Sequence, residues 1–204
     1  MVIAIDGPAG AGKSTVARAV AAELGYTYLD SGAMYRCVAL AGLRRGAAPA
    51  VLASTVRIEL SDDRVWLDGE EVSAEIRAPA VSEAASRAAA DPAVREAMVG
   101  QQRRLMATGD WVAEGRDIGS VVVPDAEVKV FLTADPQERA RRRAAELGVD
   151  PVTVLAEQAI RDHRDATRAH SPLAPAPGAL ELDTTGLGLD EVVTRVAALV
   201  AGHR

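Results

Sequence analysis

The sequence predicts an α/β fold in which helices flank a five-stranded parallel sheet in three layers. Five short apolar runs alternate with helical patterns along the chain, which is typical of parallel strands joined by helical crossovers. The chain's 204 residues, 49% of them hydrophobic, are enough for a single domain over residues 1–204 with small inserts. The predicted strands are Val2–Asp6, Tyr26–Asp30, Trp111–Glu114, Val128–Thr133 and Leu180–Asp183.

Proline, glycine and acidic residues mark where the helices begin and end. The first helix is predicted over 13–24, with Gly25 ending it. Asp190 is predicted to cap the last helix. Three further helices are predicted to begin where a capping carboxylate precedes a proline at the first helical position, at Asp91-Pro92, Asp135-Pro136 and Asp150-Pro151.

One segment departs from the α/β alternation. Apolar and polar residues alternate over 56–60, and Asp68-Gly69 is a strong hairpin-turn signal. We therefore expect a small antiparallel β insert that, with the helices after it, covers about residues 52–100. A second, arginine-rich segment at about 138–160 is predicted to be a short helical lid, and the proline-rich residues 171–177 an extended linker.

Composition narrows the classes of function. The formal net charge of −6 argues against a general nucleic-acid or membrane-surface binder. The single cysteine, Cys37, cannot form an internal disulfide and fits a reducing compartment. No apolar run has the length of a membrane span, and no export signal is evident, so we expect a cytoplasmic protein. The three histidines do not cluster, which makes a transition-metal site improbable.

Residues 7–14 read Gly-Pro-Ala-Gly-Ala-Gly-Lys-Ser, directly behind the first predicted strand and ahead of a helix. Strand, glycine-rich loop and Lys-Ser in this order are the pattern of a loop whose backbone N–H groups surround phosphate oxygens. Lys13 would contact the β- and γ-phosphates, and the Ser14 hydroxyl would be a ligand of Mg²⁺. The chain has 23 lysines and arginines, only two of them lysine, so a lysine at this position indicates a need for a compact ammonium group.

Three other segments are candidates, each with an ordinary structural alternative. The segment Asp30–Arg36 follows a predicted strand, and Ser31 is predicted to cap the next helix. The N–H groups there, with Arg36, could bind an anion, or the segment is a simple helix start with a surface arginine. In Glu114–Gly119, two glycines flank the adjacent pair Arg116-Asp117, which indicates backbone close to a ligand. The alternative is a glycine-rich turn with a surface salt bridge. Arg161, Asp165 and Arg168 fall on one helical face, which is either functional or a solvated, salt-bridged surface.

Taken together, these segments closely resemble the bacterial cytidylate kinases, a family of nucleoside monophosphate kinases. The matching pieces cover nearly the whole chain in family order: GPAGAGKST at Gly7–Thr15, LDSGAMYR at Leu29–Arg36, DGEEVSAEIR at Asp68–Arg77, EGRDIGSVVVPDA at Glu114–Ala126 and RDHRDATR at Arg161–Arg168. The resemblance implies a P-loop kinase fold, in which the antiparallel insert binds the nucleoside monophosphate.

The resemblance also implies roles for residues at matching positions. The catalytic group would be Lys13, Arg36, Arg116 and Asp117, and the metal ligands Ser14 and Asp30. ATP would be bound by Gly7, Pro8, Ala9, Gly10, Ala11, Gly12, Lys13, Ser14, Thr15, Arg139 and Arg143. Ser31, Arg36 and Arg116 would hold the phosphate of CMP. Its cytosine and ribose would be surrounded by Ser86, Arg95, Asp117, Arg161, Asp165 and Arg168.

The implied reaction is transfer of the γ-phosphoryl group of ATP to CMP or dCMP with Mg²⁺, by a monomeric enzyme. Another small phosphoryl-transfer kinase would have the same loop and differ only in its acceptor residues. A GTP-binding switch protein would need a guanine-reading Asn-Lys-x-Asp, which the sequence lacks. A nucleotide binder without catalysis stays open, as do the preference between CMP and dCMP and between ATP and GTP.

Overall fold

The computed structural model of the chain describes residues 1–61, 64–168 and 172–203. The chain divides into two compact units. The first consists of Met1–Tyr28 and Thr108–Arg204, and the second of Leu29–Ala107. No helix in the described ranges is both long enough and apolar enough to cross a bilayer.

Within the described residues, eight strands form two sheets. In chain order they are β1 (Val2–Asp6), β2 (Thr27–Asp30), β3 (Ile58–Ser61), β4 (Arg64–Leu67), β5 (Glu70–Glu71), β6 (Trp111–Gly115), β7 (Val128–Thr133) and β8 (Leu180–Asp183). The larger sheet has the order β2-β6-β1-β7-β8, and β1 pairs in parallel with β6 and with β7. All five predicted strands are therefore confirmed, within one residue at their ends.

The helices follow the predicted punctuation in most cases. In chain order they are α1 (Lys13–Leu24), α2 (Ser31–Arg45), α3 (Pro49–Leu52), α4 (Pro79–Ala88), α5 (Pro92–Leu105), α6 (Pro136–Leu147), α7 (Pro151–Ala166) and α8 (Leu189–Ala201). The side chains of Asp91, Asp135 and Asp150 accept hydrogen bonds from the first turns of α5, α6 and α7. Each aspartate thus caps the helix that its proline begins.

Two predicted caps were wrong by one or two residues. The cap of α2 is Asp30, whose side chain accepts from the Ala33 N–H, and Ser31 is instead the first helical residue. The cap position of α8 is Gly188, so that Asp190 lies in the first turn. There its carboxylate still complements the positive end of the helix dipole.

The core of the first unit lies between the parallel sheet and the helices α1 and α8. Ile3 and Ile5 of the central strand β1 are fully buried. They belong to one apolar cluster with Val16 and Val20 of α1 and Val196 of α8. Because β1 is held on both edges and one face of the sheet is covered by these helices, the loop that follows β1 starts from a rigid base.

The second unit contains the antiparallel sheet β3-β4-β5, in which β4 pairs with both neighbours. The predicted turn at Asp68-Gly69 joins β4 to β5, and both residues have positive φ, 53° and 87°. This is the backbone that a two-residue hairpin requires. The antiparallel sheet is thus confirmed, and its role in binding stays a prediction.

α7 ends before the last residue of its predicted arginine-rich face. Arg168 does not continue the helical face of Arg161 and Asp165, since α7 ends at Ala166 with Thr167 as its cap residue. Of the predicted linker, Ser171 lies outside the described residues, and residues 172–177 form no helix or strand.

Candidate functional site

The loop between β1 and α1 has a backbone that only glycine can form. Gly7 has φ of 149°, and a Cβ atom built on it would lie 2.1 Å from the carbonyl oxygen of Leu132. Gly12 has φ of 86° and occupies the cap position of α1. The first glycine is therefore required by close packing on β7, and the last by the turn into the helix.

Lys13 is buried at the first position of α1, where its Nζ donates to the carbonyl oxygen of Pro8 at 2.7 Å. Burial, together with the positive charge of Arg116, lowers the pKa of Lys13 to about 7, and the charge of Glu114 opposes this effect. The ammonium group is thus held by its own loop and is far less basic than a lysine in water.

Two arginines bind the same loop in the same way. Nη1 of Arg116 donates to the carbonyl oxygen of Gly7 at 3.0 Å, and Nη1 of Arg139 donates to that of Ala9 at 3.0 Å. With Lys13, three cationic side chains therefore contact three successive carbonyl oxygens of the loop. This concentration of positive charge suits a polyanionic ligand.

The arginines at the loop are in turn paired with aspartates of α7. Nε of Arg116 lies 2.9 Å from Oδ2 of Asp165, and Nη1 of Arg139 lies 2.5 Å from Oδ2 of Asp162. Asp165 is only 1% exposed and also forms an ion pair with Arg168. Burial by itself disfavours the carboxylate, but the positive charges of Arg116 and Arg168 outweigh that cost and lower the pKa of Asp165.

The structure therefore brings together many of the predicted residues of the first unit. Arg161 belongs to this group, since its charge acts on both Lys13 and Asp165. Arg143 does not join it by any contact that we find in the described part of the chain, and instead forms an ion pair with Glu146, with Nη1 2.8 Å from Oε2. Its predicted contact with ATP stays a prediction.

Asp117 follows β6 and precedes a single turn of π-helix at Ile118–Val122. Its carbonyl oxygen accepts from the N–H groups of Val121 and Val122, and its side chain is buried. π-Helical turns are rare and occur frequently at functional sites. The turn also donates two hydrogen bonds to a residue outside it, because the carboxylate of Asp6 accepts from the N–H groups of Ile118 and Gly119.

The sequence did not point to Asp6 or Thr184 as parts of this region, and Glu114 was predicted only as the first residue of the candidate segment Glu114–Gly119. Asp6 and Glu114 were visible as carboxylates within apolar strands, a signal of a buried charge with a specific partner. Glu114 accepts a short hydrogen bond from the Tyr28 hydroxyl. Thr184 accepts from Arg142 Nη1 at 3.0 Å and donates to the Thr133 carbonyl at 2.9 Å, and nothing local in the sequence marks it.

The second unit contains its own group of predicted residues. Oδ1 of Asp30 accepts from the Ala33 N–H and Oδ2 from Nη2 of Arg36, each at 2.8 Å. Ser31 is buried beside them, and Ser86 on α4 and Arg95 on α5 are buried as well. Burial of arginine and serine side chains is costly unless their polar atoms are hydrogen-bonded or paired.

No group of three or more histidine, cysteine, aspartate or glutamate residues suited to a metal ion occurs within 1–61, 64–168 and 172–203. Mg²⁺ does not need such a group, because it commonly binds through one or two protein oxygens, substrate phosphates and water. The hydroxyl of Ser14, exposed in the first turn of α1, is a donor of this kind. Each oxygen of Asp30 accepts one hydrogen bond and keeps further lone pairs, and the predicted contact of Asp30 with the metal stays a prediction.

Comparison with solved structures supports the fold. A gluconokinase from Sinorhizobium meliloti matches with a TM-score of 0.54 at 18% identity, over 99% of this chain and 93% of that one. A shikimate kinase from Bacteroides thetaiotaomicron matches with a TM-score of 0.51 at 14% identity, over 98% of each chain. At such identities the likeness concerns the fold alone.

Comparison of sequences identifies the family of the chain. A family model described as cytidylate kinase matches residues 3–202. The cytidylate kinase of Pelotomaculum thermopropionicum is 50% identical over 99% of this chain and 96% of its own length. That of Mycobacterium leprae is 50% identical over 98% of this chain and 95% of its own length. The chain therefore belongs to the cytidylate kinase family.

Proposed function

We propose that the chain transfers the γ-phosphoryl group of ATP to CMP or dCMP, which yields ADP and CDP or dCDP. The observation that carries this proposal is the arrangement around the glycine-rich loop, where Lys13, Arg116 and Arg139 contact three of its carbonyl oxygens. Membership of the cytidylate kinase family supports the choice of acceptor.

On the donor side, the loop Gly7–Thr15 would bind the phosphates of ATP through backbone N–H groups and the N-terminus of α1. Lys13 would leave the Pro8 carbonyl and contact the β- and γ-phosphates, with Arg139 and Arg143 adding positive charge. Mg²⁺, when bound, would neutralise part of the phosphate charge. Ser14 is the residue of this chain that would hold it directly, with Asp30 or Asp117 orienting its water.

On the acceptor side, the two units contribute separate sets. In the second unit, Ser31, Arg36, Ser86 and Arg95 supply a hydroxyl or a guanidinium that suits a phosphate or the acceptor atoms of a pyrimidine. In the first unit, the proposed contacts with CMP come from Arg116, Asp117, Arg161, Asp165 and Arg168. A carboxylate among these residues would accept from the exocyclic amino group of cytosine, whereas uracil has a carbonyl at that position.

The chemistry needs no general base in this proposal. The second pKa of a phosphate monoester is about 6, so the acceptor is mostly dianionic at neutral pH. An oxygen of that phosphate attacks the γ-phosphorus, the bond to the β–γ bridging oxygen breaks, and ADP leaves with the electron pair. The protein's own contribution is to align the reactants and to neutralise charge, for which Lys13, Arg36 and Arg116 are suited.

We further propose that residues 52–100 bind the monophosphate and that residues 138–160 act as a lid. Closure of such segments excludes water and limits hydrolysis of ATP. The enzyme would be monomeric and cytoplasmic, and the single cysteine of the sequence, Cys37, fits a reducing compartment.

The experiment is a coupled assay of ADP formation with ATP and Mg²⁺, using CMP, dCMP, UMP, AMP and GMP in separate reactions. Turnover with CMP and dCMP far above that with the others is the expected result. Turnover with another monophosphate would keep the kinase and reject the assignment of the acceptor residues. A lack of turnover with all five would reject the proposal.

The acceptor assignment has its own test in Asp117→Ala. We expect this variant to lose preference for cytosine over uracil, because the carboxylate would no longer discriminate the amino group from a carbonyl. Full activity with unchanged base preference would remove Asp117 from the base site.

A further inference from the structure

The carboxylate of Asp6 spans from the end of β1 to the turn that follows β6. Oδ1 accepts from the Ile118 N–H and Oδ2 accepts from the Gly119 N–H, each at 2.8 Å. These partners are more than one hundred residues away in the sequence, and Asp6 is only 3% exposed. Both oxygens of a buried carboxylate are thus used to hold two consecutive backbone donors.

A second contact runs in the opposite direction. Arg116, at the start of the same turn, donates from Nη1 to the carbonyl oxygen of Gly7, the residue directly after Asp6. The end of β1 therefore binds the turn through the side chain of Asp6, and the turn binds the loop that follows β1 through the side chain of Arg116. We call this pair of contacts the clasp.

The strand does not need this carboxylate for its own stability. The backbone of Asp6 is already aligned with Gly115 of β6 on one side and with Phe131 of β7 on the other. An ionised group in such a buried place is also costly, because it leaves water. Burial raises the pKa of Asp6 to about 6, in spite of its two backbone donors. Because burial of this charge is costly and both of its hydrogen bonds go to the turn, the role of the carboxylate is to hold the turn.

We propose that Asp6 is a positioning residue that fixes the turn 116–119 and thereby the guanidinium of Arg116 and the side chain of Asp117. Asp6 itself touches no substrate in this proposal, which rests on the proposed function of Arg116 and Asp117 in binding the acceptor nucleotide. The turn contacts the loop at the carbonyl oxygen of Gly7, whereas the phosphates of ATP would be held mainly by the backbone N–H groups of the loop and by Lys13.

The test is the variant Asp6→Asn, with dissociation constants measured by calorimetry for CMP and for ATP separately. An asparagine keeps the shape but offers one acceptor oxygen and places an amino group against the second N–H donor. Losing one charge-assisted hydrogen bond at the turn predicts roughly tenfold weaker binding of CMP, and less than about twofold weaker binding of ATP.

The matched control is Glu127→Gln. Glu127 also binds the backbone of β1 through its carboxylate, since Oε2 accepts from the Val2 N–H at 2.7 Å. It lies at the opposite end of the strand, away from the loop, and we expect both dissociation constants to stay within twofold of the wild type. Equal losses for CMP and ATP in Asp6→Asn, or no loss for either, would overturn the proposal.

If Asp6→Asn does not fold, Asp6→Glu replaces it. The longer side chain keeps the charge and displaces the turn, and the same selective loss for CMP is expected, with an equal loss for both nucleotides overturning the proposal. Failure of the proposed function is distinguishable, because it would be seen in the wild type as an absence of turnover with CMP. In that case the same comparison is made with the monophosphate that the wild type phosphorylates. Phosphorylation of no monophosphate would overturn both proposals.

Discussion

Nε of Arg116 lies 2.9 Å from Oδ2 of Asp165, in an ion pair whose carboxylate is almost fully buried. The same carboxylate also pairs with Arg168, so that one negative charge serves two guanidinium groups. A buried ion pair of this kind contributes little net stability, but removal of one partner leaves the others without compensation.

We therefore expect Asp165→Ala to lower the free energy of unfolding by about 3–5 kcal/mol, the usual cost of breaking a buried pair. Chemical denaturation without nucleotide measures this change. The control is Glu191→Ala, which removes a half-exposed partner of Arg195 and should cost less than about 1 kcal/mol. Similar losses for both variants would contradict the view that burial makes the Asp165 pairs critical.

Lys13→Ala should lower turnover by about 10²–10³-fold, as expected for a group that stabilises charge in the transition state. The depressed pKa of Lys13, about 7, adds a second expectation. Much of the side chain is neutral at pH 8, and bound phosphates favour its charged form, so binding of ATP at that pH should take up protons.

Calorimetric titration with ATP at pH 8, in buffers of different ionisation enthalpy, measures this uptake. The signal should be smaller at pH 6, where Lys13 is already protonated, and absent in Lys13→Ala. Wild-type turnover in that variant would contradict the assignment of the loop, and uptake that persists in it would contradict the assignment of the proton.

Gly7→Ala should abolish the native geometry of the loop, because the new Cβ would lie 2.1 Å from a backbone oxygen of β7. Gly25→Ala is the matched control, since Gly25 also has positive φ, 69°, but has nothing within 4 Å of its Cβ position. We expect the control to cost only about 1–2 kcal/mol of backbone strain. Gly7→Ala should cost clearly more and should lose ATP binding. Equal stability of the two variants in denaturation experiments would refute the argument from close packing.

Asp6 makes the stability of the protein depend on pH in a direction opposite to that of most carboxylates. Its pKa is raised from 3.8 to about 6, mainly by burial, with the charge of Asp117 adding to the shift and that of Lys13 opposing it. The stabilisation linked to its protonation is therefore complete below about pH 4 and lost as the pH rises through 6, a change on the order of 3 kcal/mol.

Asp6→Asn lacks this titration, so its stability relative to the wild type should improve between pH 5 and pH 7.5. Thermal unfolding at several pH values checks this prediction. A difference between the two proteins that does not vary with pH would contradict the shifted pKa.

Local signals were sufficient for most of the fold. The strands were recognisable because buried parallel strands are short apolar runs, and the helices because proline and glycine restrict where helices begin and end. The errors at Ser31 and Asp190 arose where two neighbouring residues were both suitable caps or where glycine occupied the cap position instead. Only tertiary packing decides between such alternatives.

The site was predictable to the extent that it depends on local sequence. The loop and its lysine follow from one contiguous motif. Asp165 forms ion pairs with Arg116 and Arg168, and the roles of these three residues in binding CMP stay predictions. The contacts of Asp6, Thr184 and Arg139 join residues that are distant in the sequence. A single sequence contains no pattern that predicts such long-range contacts between a strand end and a turn.

The three cations on the loop carbonyls imply that nucleotide binding replaces existing hydrogen bonds within the protein by new ones to phosphate. Each ammonium or guanidinium group that donates to a phosphate must first break its hydrogen bond to a carbonyl oxygen of the loop. What Lys13 and Arg139 add to the affinity for ATP is then only the difference between their bonds to phosphate and the bonds to the loop that they give up. The same exchange of bonds favours departure of the spent nucleotide, since the empty loop recovers its internal partners as ADP leaves. We therefore expect weaker binding of ATP and faster release of ADP than in a loop whose cations have no internal partners.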